Sequence, residues 1–231
     1  MKKILISLSL ALSLYGSQAA LDAFKQGDYK TAYSLYLKES NKGNANSQNA
    51  LSYLYFNGLG VDKNIKDGIK WITEAANNNS KIAQYDLGMM YLSGYNIQKD
   101  IKKAANLIEK AAKAGHFDAQ YNLALMYYNG DGVDQNTTKT AQLLESAAKG
   151  GHPRAIENIG KIYMQLIKYK KAAYWLEKNA NAGDKKAYYF LAEIYCEEED
   201  FKKAKLWTTK SIETGNEDAK KLWKSCDLDN H

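Results

Sequence analysis

Apolar residues recur along this chain with a helical spacing, and the whole pattern then starts again at a fixed interval. The segments NSQNALSYLY, IAQYDLGMMY and DAQYNLALMY occupy 46–55, 82–91 and 118–127, 36 residues apart. RAIENIGKIY at 154–163 follows after another 36 residues and KAYYFLAEIY at 186–195 after 32. In each segment a small residue, a Leu or Ile four residues later and a Tyr after four more lie on one helical stripe. The pattern predicts one helix in each of a series of repeats.

A second helix is predicted after each first helix. The residues at its end are five glycines and one asparagine, which are typical of a left-handed helix stop. A single repeat cannot bury its apolar stripe, but stacked repeats can. We therefore predict an all-α fold, a right-handed α-solenoid of stacked antiparallel helix pairs. The predicted second helices lie in 29–43, 67–79, 103–115, 139–151, 171–183 and 203–215, and the predicted stop residues are Gly43, Asn79, Gly115, Gly151, Gly183 and Gly215.

The first twenty residues, MKKILISLSLALSLYGSQAA, have the pattern of a secretory signal peptide. Lys2 and Lys3 precede an apolar stretch, and Ser17-Gln18-Ala19 forms a small-residue cleavage site. The stretch of about 12 residues is too short to cross a hydrocarbon core of about 30 Å. We expect cleavage after about Ala19, a periplasmic or secreted protein, and no transmembrane segment in the mature chain.

The predicted domain organisation follows from these segments. We expect a signal peptide at 1–19, an N-terminal capping partial repeat at 20–44, five repeats at 45–216, and a C-terminal capping helix and tail at 217–231.

Composition and cysteine content narrow the partners. The formal charge is +6 with 25% charged residues, and the lysines are dispersed, which favours solvated helix faces over a nucleic-acid partner. Cys196 and Cys226 are the two cysteines of the chain. Disulfides persist in exported proteins, so we predict that this pair is bonded. The alternative is two buried free thiols.

The motif within each repeat resembles a known family. The pattern A-x-x-x-L-G-x-x-Y, then G-x-G-V, then a helix ending in A-A-x-x-G-H is similar to that of Sel-1-like repeats, which are relatives of tetratricopeptide (TPR) repeats. The resemblance covers essentially the whole mature chain and implies a scaffold that binds a protein or peptide on its concave face. The matching residues in one repeat are Ala83, Leu87, Gly88, Tyr91, Gly94, Ala104, Ala111, Ala112, Gly115 and His116.

Two alternatives to a scaffold remain open. Some secreted, cysteine-rich members of the family are described as penicillin-binding or as β-lactamases, although they carry a cysteine pair in nearly every repeat. A structural homo-oligomer formed through the terminal repeats is the other alternative. Our expectation is a monomer that is not an enzyme, with no cofactor, no metal site and no catalytic residue.

The connections between paired helices are of two types. The first three repeats have long loops, FNGLGVDK, LSGYNIQK and YNGDGVDQ, whereas the later repeats have short turns beginning at YKKA (169–172) and FKKA (201–204). The change of connection predicts differently shaped grooves in the two halves.

Candidate chemistry in the loops and helices has simpler explanations. The loop YNGDGVDQ (128–135) lacks the third glycine and preceding strand of a dinucleotide site and the alternating oxygens of a calcium loop. Its recurring positions are Gly or Asn, which predicts a bend. His116 and His152 recur at a helix boundary, which favours a repeat feature over a metal pair. Ser146 and Lys149 match S-x-x-K without the accompanying motifs.

Two possible functional features remain. The stretch Asp134-Gln135-Asn136-Thr137-Thr138 fits an acidic glycosylation sequon with Asn136 as acceptor. The family geometry also predicts a partner-binding surface on the first helices, with burial between helices as the alternative. It consists largely of aromatic and apolar residues in the first three repeats and of charged ones later. The predicted contacts are Tyr53, Phe56, Tyr85, Met89, Leu92, Tyr121, Leu125 and Tyr128, with Asn49 beside them; their later equivalents are Glu157, Lys161, Met164, Tyr189, Glu193 and Cys196.

Overall fold

A computed structural model describes residues 18–230, and these residues form thirteen α-helices and no strand. The all-α prediction is confirmed. Of the predicted signal peptide at 1–19, residues 1–17 lie outside the described residues, and residues 18 and 19 begin the first helix. The helices are α1 Gln18–Lys25, α2 Tyr29–Ser40, α3 Ala45–Asn57, α4 Ile65–Asn77, α5 Lys81–Ser93, α6 Ile101–Lys113, α7 Phe117–Asn129, α8 Thr137–Lys149, α9 Pro153–Gln165, α10 Tyr169–Asn181, α11 Lys186–Glu197, α12 Phe201–Glu213 and α13 Glu217–Ser225.

The chain divides into two compact units. The N-terminal unit extends to Met126 and includes Gly130–Asp134, and the C-terminal unit contains Tyr127–Asn129 and the chain from Gln135 onward. In the N-terminal unit α3 packs against α2 and α4, and α5 packs against α4 and α6. In the C-terminal unit α9 packs against α8 and α10, and α11 packs against α10, α12 and α13. Each unit is therefore a stack of helix pairs.

The starts of the first helices α3, α5, α7 and α9 are fixed by side-chain caps at equivalent positions. Asn44, Ser80 and His116 stand before α3, α5 and α7, and each side chain accepts a hydrogen bond from a backbone N–H in the first turn. His116 does so through Nδ1, 3.2 Å from the Ala119 nitrogen, and His152 caps α9 in the same way. The recurring histidines are thus caps, each of which typically stabilises a helix by about 1 kcal/mol.

The predicted helix stops are confirmed by their backbone angles. All six residues have positive φ, from +63° at Asn79 to +95° at Gly183. In the long loops Asn96 has φ +61° where the equivalent residues are Gly60 and Gly132, so it takes the place of a glycine as predicted. The loop YNGDGVDQ is therefore a bend.

The second glycine of the long loop lies directly against the preceding helix pair. A Cβ built on Gly60 would be 2.0 Å from the Tyr29 carbonyl oxygen, and one on Gly132 would be 2.8 Å from that of Ile101. Tyr29 and Ile101 begin α2 and α6, which are second helices of the preceding repeats. The glycine thus lets the loop backbone contact the neighbouring repeat.

Tyrosines at the ends of first helices connect repeats in the C-terminal unit. The Tyr195 hydroxyl donates to Glu177 Oε1 at 2.6 Å, and the Lys203 ammonium lies 4.5 Å from the centre of the Tyr195 ring. Tyr163 makes the equivalent contacts with Glu145 and Lys171. Both tyrosines therefore take part in a hydrogen bond and a cation–π contact.

The loop at Gly60 lies close to α2, so alanine should destabilise the protein more at Gly60 than at Gly43. Both glycines have a left-handed backbone. Gly60→Ala is expected to destabilise the protein by on the order of 3 kcal/mol, because strain at positive φ adds to a clash with the Tyr29 backbone. Gly43→Ala, with φ +85° and open space around its Cβ, is expected to lose only about 1 kcal/mol. Urea unfolding of both variants measures the difference, and equal losses would contradict the proposed contact.

Candidate functional site

The predicted surface residues have different degrees of exposure. Tyr53, Tyr85, Met89 and Leu92 are half-buried. Leu125 and Tyr128 are exposed, each at 37%. Tyr128 belongs to the C-terminal unit, where its hydroxyl accepts a hydrogen bond from Gln165 at 3.4 Å. The accessible part of the surface in the N-terminal unit, here called the first-helix surface, consists of Tyr53, Tyr85, Met89, Leu92 and Leu125.

Phe56 and Tyr121 do not belong to that surface, so the prediction is corrected for these two residues. Phe56 is 7% exposed and packs in a core cluster with Ile72 and Leu87. Its ring fills the space over Gly68, where an added Cβ would lie 2.5 Å from Phe56 Cε1. Tyr121 is 8% exposed. Both side chains are therefore buried between helices, which was the alternative to a partner-binding surface.

Tyr85 is held in a fixed position by α7 and its cap. Its ring stacks on the His116 imidazole with centroids 4.6 Å apart, and its hydroxyl accepts a hydrogen bond from Asn122 Nδ2 at 2.8 Å. Burial raises the pKa of Tyr85 to about 12, with smaller contributions from Asp118 and Asp86. A ring restrained in this way presents contact area to a partner at a small entropy cost.

Next to Tyr85, the sequence interpretation overlooked a buried carboxyl group. Asp86 is 8% exposed. Burial, and secondarily the nearby Asp118, raises the pKa of Asp86 from its ordinary value of 3.8 to about 7. A comparison of repeats could have found it, because the residues 36 before and after are Ala50 and Asn122.

His116 lies at the contact between α5 and α7, where its ring stacks on Tyr85. Its Nδ1 must be unprotonated to accept the hydrogen bond from Ala119. Burial lowers the pKa of His116, although Asp118 opposes this effect. The junction of α5 and α7 therefore combines a neutral imidazole, a fixed tyrosine and two carboxyl groups.

In the C-terminal unit, charged residues of the first helices contact aromatic rings. The Lys161 ammonium is 4.9 Å from the centre of the Phe190 ring. Glu193 bonds to Tyr189, whose pKa is raised to about 12 by burial and then by this carboxyl group. These residues form a different, more polar surface from that of the N-terminal unit.

The match to S-x-x-K does not assemble a nucleophile and a base. Ser146 and Lys149 lie in α8, and the Lys149 ammonium pairs with Glu145 Oε1 at 3.0 Å. Lys149 is therefore paired with a carboxylate rather than with the Ser146 hydroxyl. Within residues 18–230 no group of three or more His, Cys, Asp or Glu could hold a metal ion.

A cleft of about 790 Å³ lies beside α12 in the C-terminal unit. Leu206 and Trp223 form apolar walls, and Lys202, Lys205 and Lys210 stand at its edge. Lysine is the commonest residue type in its lining, which also contains Asp200 and Glu213.

The two cysteines are brought together at the end of the chain. The Cα atoms of Cys196 and Cys226 are 6.0 Å apart and their sulfur atoms are within bonding distance. The pair would link the end of α11 to the residue that follows α13. Its geometry is compatible with a disulfide.

The predicted glycosylation acceptor has a structural position of its own. Asn136 caps α8, and its Oδ1 accepts a hydrogen bond from the Lys139 nitrogen at 2.9 Å. Asn64 and Asp100 occupy the equivalent positions before α4 and α6. Capping therefore accounts for Asn136 without modification.

Helix pairs stacked at a regular interval, with side chains presented from their first helices, define a helical repeat protein. The Sel1 repeat family matches residues 45–80, 81–116, 117–152, 154–184 and 185–216. The chain belongs to this family, as its motifs had indicated. Proteins with Sel1 repeats generally bind other proteins.

Solved structures of repeat proteins are similar to this chain. A Sel1 repeat protein from Oxalobacter formigenes is 28% identical with a TM-score of 0.65, and the match covers 90% of this chain and 86% of that protein. A protective antigen with an SLR fold from uropathogenic Escherichia coli, c5321, is also 28% identical with a TM-score of 0.65. That match covers 83% of this chain but only 43% of the antigen. No curated protein matches the chain.

Asp86→Asn is expected to raise the melting temperature by several degrees at pH 8 and to leave it almost unchanged at pH 4. The folded-state pKa of about 7 exceeds the ordinary 3.8. The group therefore favours folding fully below about pH 4, and that benefit is lost as the pH rises through 7, by on the order of 4 kcal/mol.

The comparison with wild type at each pH removes the effect of His116. The pKa of His116 is lowered, so its contribution to stability is present above about pH 6.5 and is lost as the pH falls. Thermal melts by circular dichroism from pH 4 to 8 give the difference between the two proteins. If Asp86→Asn raised the melting temperature equally at pH 4 and pH 8, the pH dependence could not be assigned to Asp86.

Proposed function

We propose that this protein is an exported scaffold that binds a protein or peptide through the first-helix surface of its N-terminal unit. The observation that carries the proposal is the restrained apolar and aromatic surface of Tyr53, Tyr85, Met89, Leu92 and Leu125. Aromatic residues and methionine are enriched in protein interfaces, where rings supply area and methionine adapts to its partner.

The arrangement of these side chains favours recognition of an extended segment. They come from α3, α5 and α7, the first helices of three consecutive repeats. Tyr85 connects α5 to α7 through Asn122 and His116, which fixes the relative position of these two helices. A surface made from successive helices is the usual binding face of such arrays.

Export to the periplasm or outside the cell is part of the proposal. The cysteine pair at disulfide distance supports an oxidising compartment. No helix among residues 18–230 is long and apolar enough to cross a membrane. The 28% identical c5321 is described as a protective antigen, and a surface-accessible or secreted location would fit a similar role.

Substitutions on the first-helix surface are expected to weaken partner binding without unfolding the chain. Crosslinking in the native envelope with mass spectrometry identifies the partner, and its affinity for the Met89→Ala/Leu125→Ala variant is then measured. We expect a loss of about tenfold or more, because interface anchors typically contribute 1–2 kcal/mol each. The melting temperature should change little, since Leu125 is exposed and Met89 half-buried.

The matched control is Leu206→Ala, which truncates a leucine 49% exposed on α12. It should bind the partner like wild type. Equal affinity of the wild type, the double variant and the control would exclude the first-helix surface as the binding site.

The intact mass of the protein recovered from its own cell envelope tests export and both proposed modifications. Cleavage after about Ala19 removes the predicted signal peptide, a disulfide removes the mass of two hydrogen atoms, and glycosylation at Asn136 adds a sugar mass. We expect the shortened, oxidised chain. A sugar mass that disappears in Asn136→Gln identifies the acceptor, and an unmodified mass in a glycosylating host removes the glycosylation proposal. Retention of residues 1–19 would contradict cleavage.

A further inference from the structure

Asp86 has no interaction partner that explains its burial. Its side chain is 92% buried, since only 8% of its surface is exposed. Among the described residues its carboxylate has no hydrogen bond or ion pair, although its oxygens are not completely enclosed, and the effects on it are burial and repulsion from Asp118. Buried polar groups in proteins are nearly always hydrogen-bonded, so an unpaired one usually has a reason outside the free fold.

The repeat itself does not require an acid at this position. The equivalent residues in other repeats are the neutral Ala50, Asn122 and Asn158. Asn122 donates to the Tyr85 hydroxyl and the Asp118 carbonyl, and Asn158 donates to the Arg154 carbonyl. The other repeats therefore fold with an uncharged residue at this position, and only the repeat that contains α5 has a carboxylate there.

The charge that acts on Asp86 is negative, although the whole chain carries +6: Asp118 repels it, whereas the nearby Lys81 acts on His116. Asp118 raises the pKa of both Asp86 and Tyr85, as well as that of His116. His116 uses Nδ1 as a helix cap and is held neutral by burial. A cation entering this junction would relieve the repulsion between the two carboxyl groups.

Asp86 lies on α5, the helix that carries Tyr85, Met89 and Leu92 of the first-helix surface. On an α-helix residue 89 is one turn beyond residue 86, and side chains lean toward the N-terminus, so Met89 covers the turn that carries Asp86. Tyr85 is the adjacent residue. A cationic side chain with an apolar stem could contact Tyr85 and Met89 with its stem and Asp86 with its charged end.

We propose that Asp86 receives a Lys or Arg side chain from the peptide that binds the first-helix surface. The aliphatic stem would pack along Tyr85 and Met89, and the cationic end would supply the hydrogen bonds that Asp86 lacks. This inference rests on the proposed function and adds the chemistry of the partner: a segment with apolar anchors and one basic residue.

Selection of displayed peptides against matched proteins tests the inference. A random peptide library is selected on wild type, on Asp86→Asn and on Asp62→Asn. The last variant removes the same charge from an exposed loop position. We expect a basic residue at one fixed position in peptides selected on wild type and on Asp62→Asn. Peptides selected on Asp86→Asn should keep the apolar anchors without that residue.

A double-mutant cycle gives the size of the interaction. A synthetic peptide selected on wild type, and its copy with the basic residue replaced by methionine, are titrated against wild type and Asp86→Asn. The basic peptide should lose about thirtyfold or more in affinity on Asp86→Asn, as expected when one partner of a desolvated charge pair is removed. The methionine peptide should bind both proteins alike.

The outcomes separate the two proposals. Selected peptides with no basic preference, or equal affinity of the basic peptide for wild type and Asp86→Asn, would overturn the role of Asp86 and leave the scaffold proposal intact. If binding of the selected peptides is unaffected by Met89→Ala/Leu125→Ala, the first-helix surface itself is excluded, and the inference falls with it.

Discussion

The close approach of the two helices in each pair, which only very small side chains permit, is the constraint on which the structure depends. Ala83 and Ala104, in α5 and α6, are completely buried, and a Cβ on Gly88 would lie 2.7 Å from Ile108 Cγ1. Large side chains pack over these small residues within a pair, as Phe56 does over Gly68, while Tyr85 contacts the next repeat. The same small residues that stabilise the pair thus determine which side chains face outward.

The loops between paired helices also form contacts with the neighbouring repeat. Gly60 allows the long loop to lie against the start of α2, so the position of one repeat fixes the backbone of another. The short turns have no such glycine, and Ile167 and Glu199 adopt left-handed backbones there, with φ +55° and +56°. Ile167 is 73% exposed, so this β-branched residue bears backbone strain without compensation from packing. The two connection types therefore differ in inter-repeat contact as well as in length.

Local sequence was sufficient to predict the helices, their left-handed stops and the substitution of Asn96 for glycine, because each depends on a few adjacent residues. The difference in burial between Phe56 and Leu125 was not predictable in this way. Both were placed on one surface by their position in the repeat, but burial depends on the neighbouring helix: Gly68 leaves room for the Phe56 ring. His116 was correctly interpreted as a boundary residue, while its capping role needed the direction of its ring.

Specialisation of a single repeat is possible because contacts in such an array are local. A carboxylate at position 86 affects the junction of α5 and α7 and leaves the caps and alanine contacts of other repeats unchanged. The cost falls on stability: the pKa of Asp86 is raised while that of His116 is lowered, both mainly by burial. Acidification protonates Asp86, which removes its charge from the buried site, but it also protonates His116 and removes the helix cap. The two effects on wild-type stability therefore oppose each other. Such a group persists in a marginally stable protein when it contributes to binding, and the neutral residues at positions 50, 122 and 158 indicate that folding alone would not retain it.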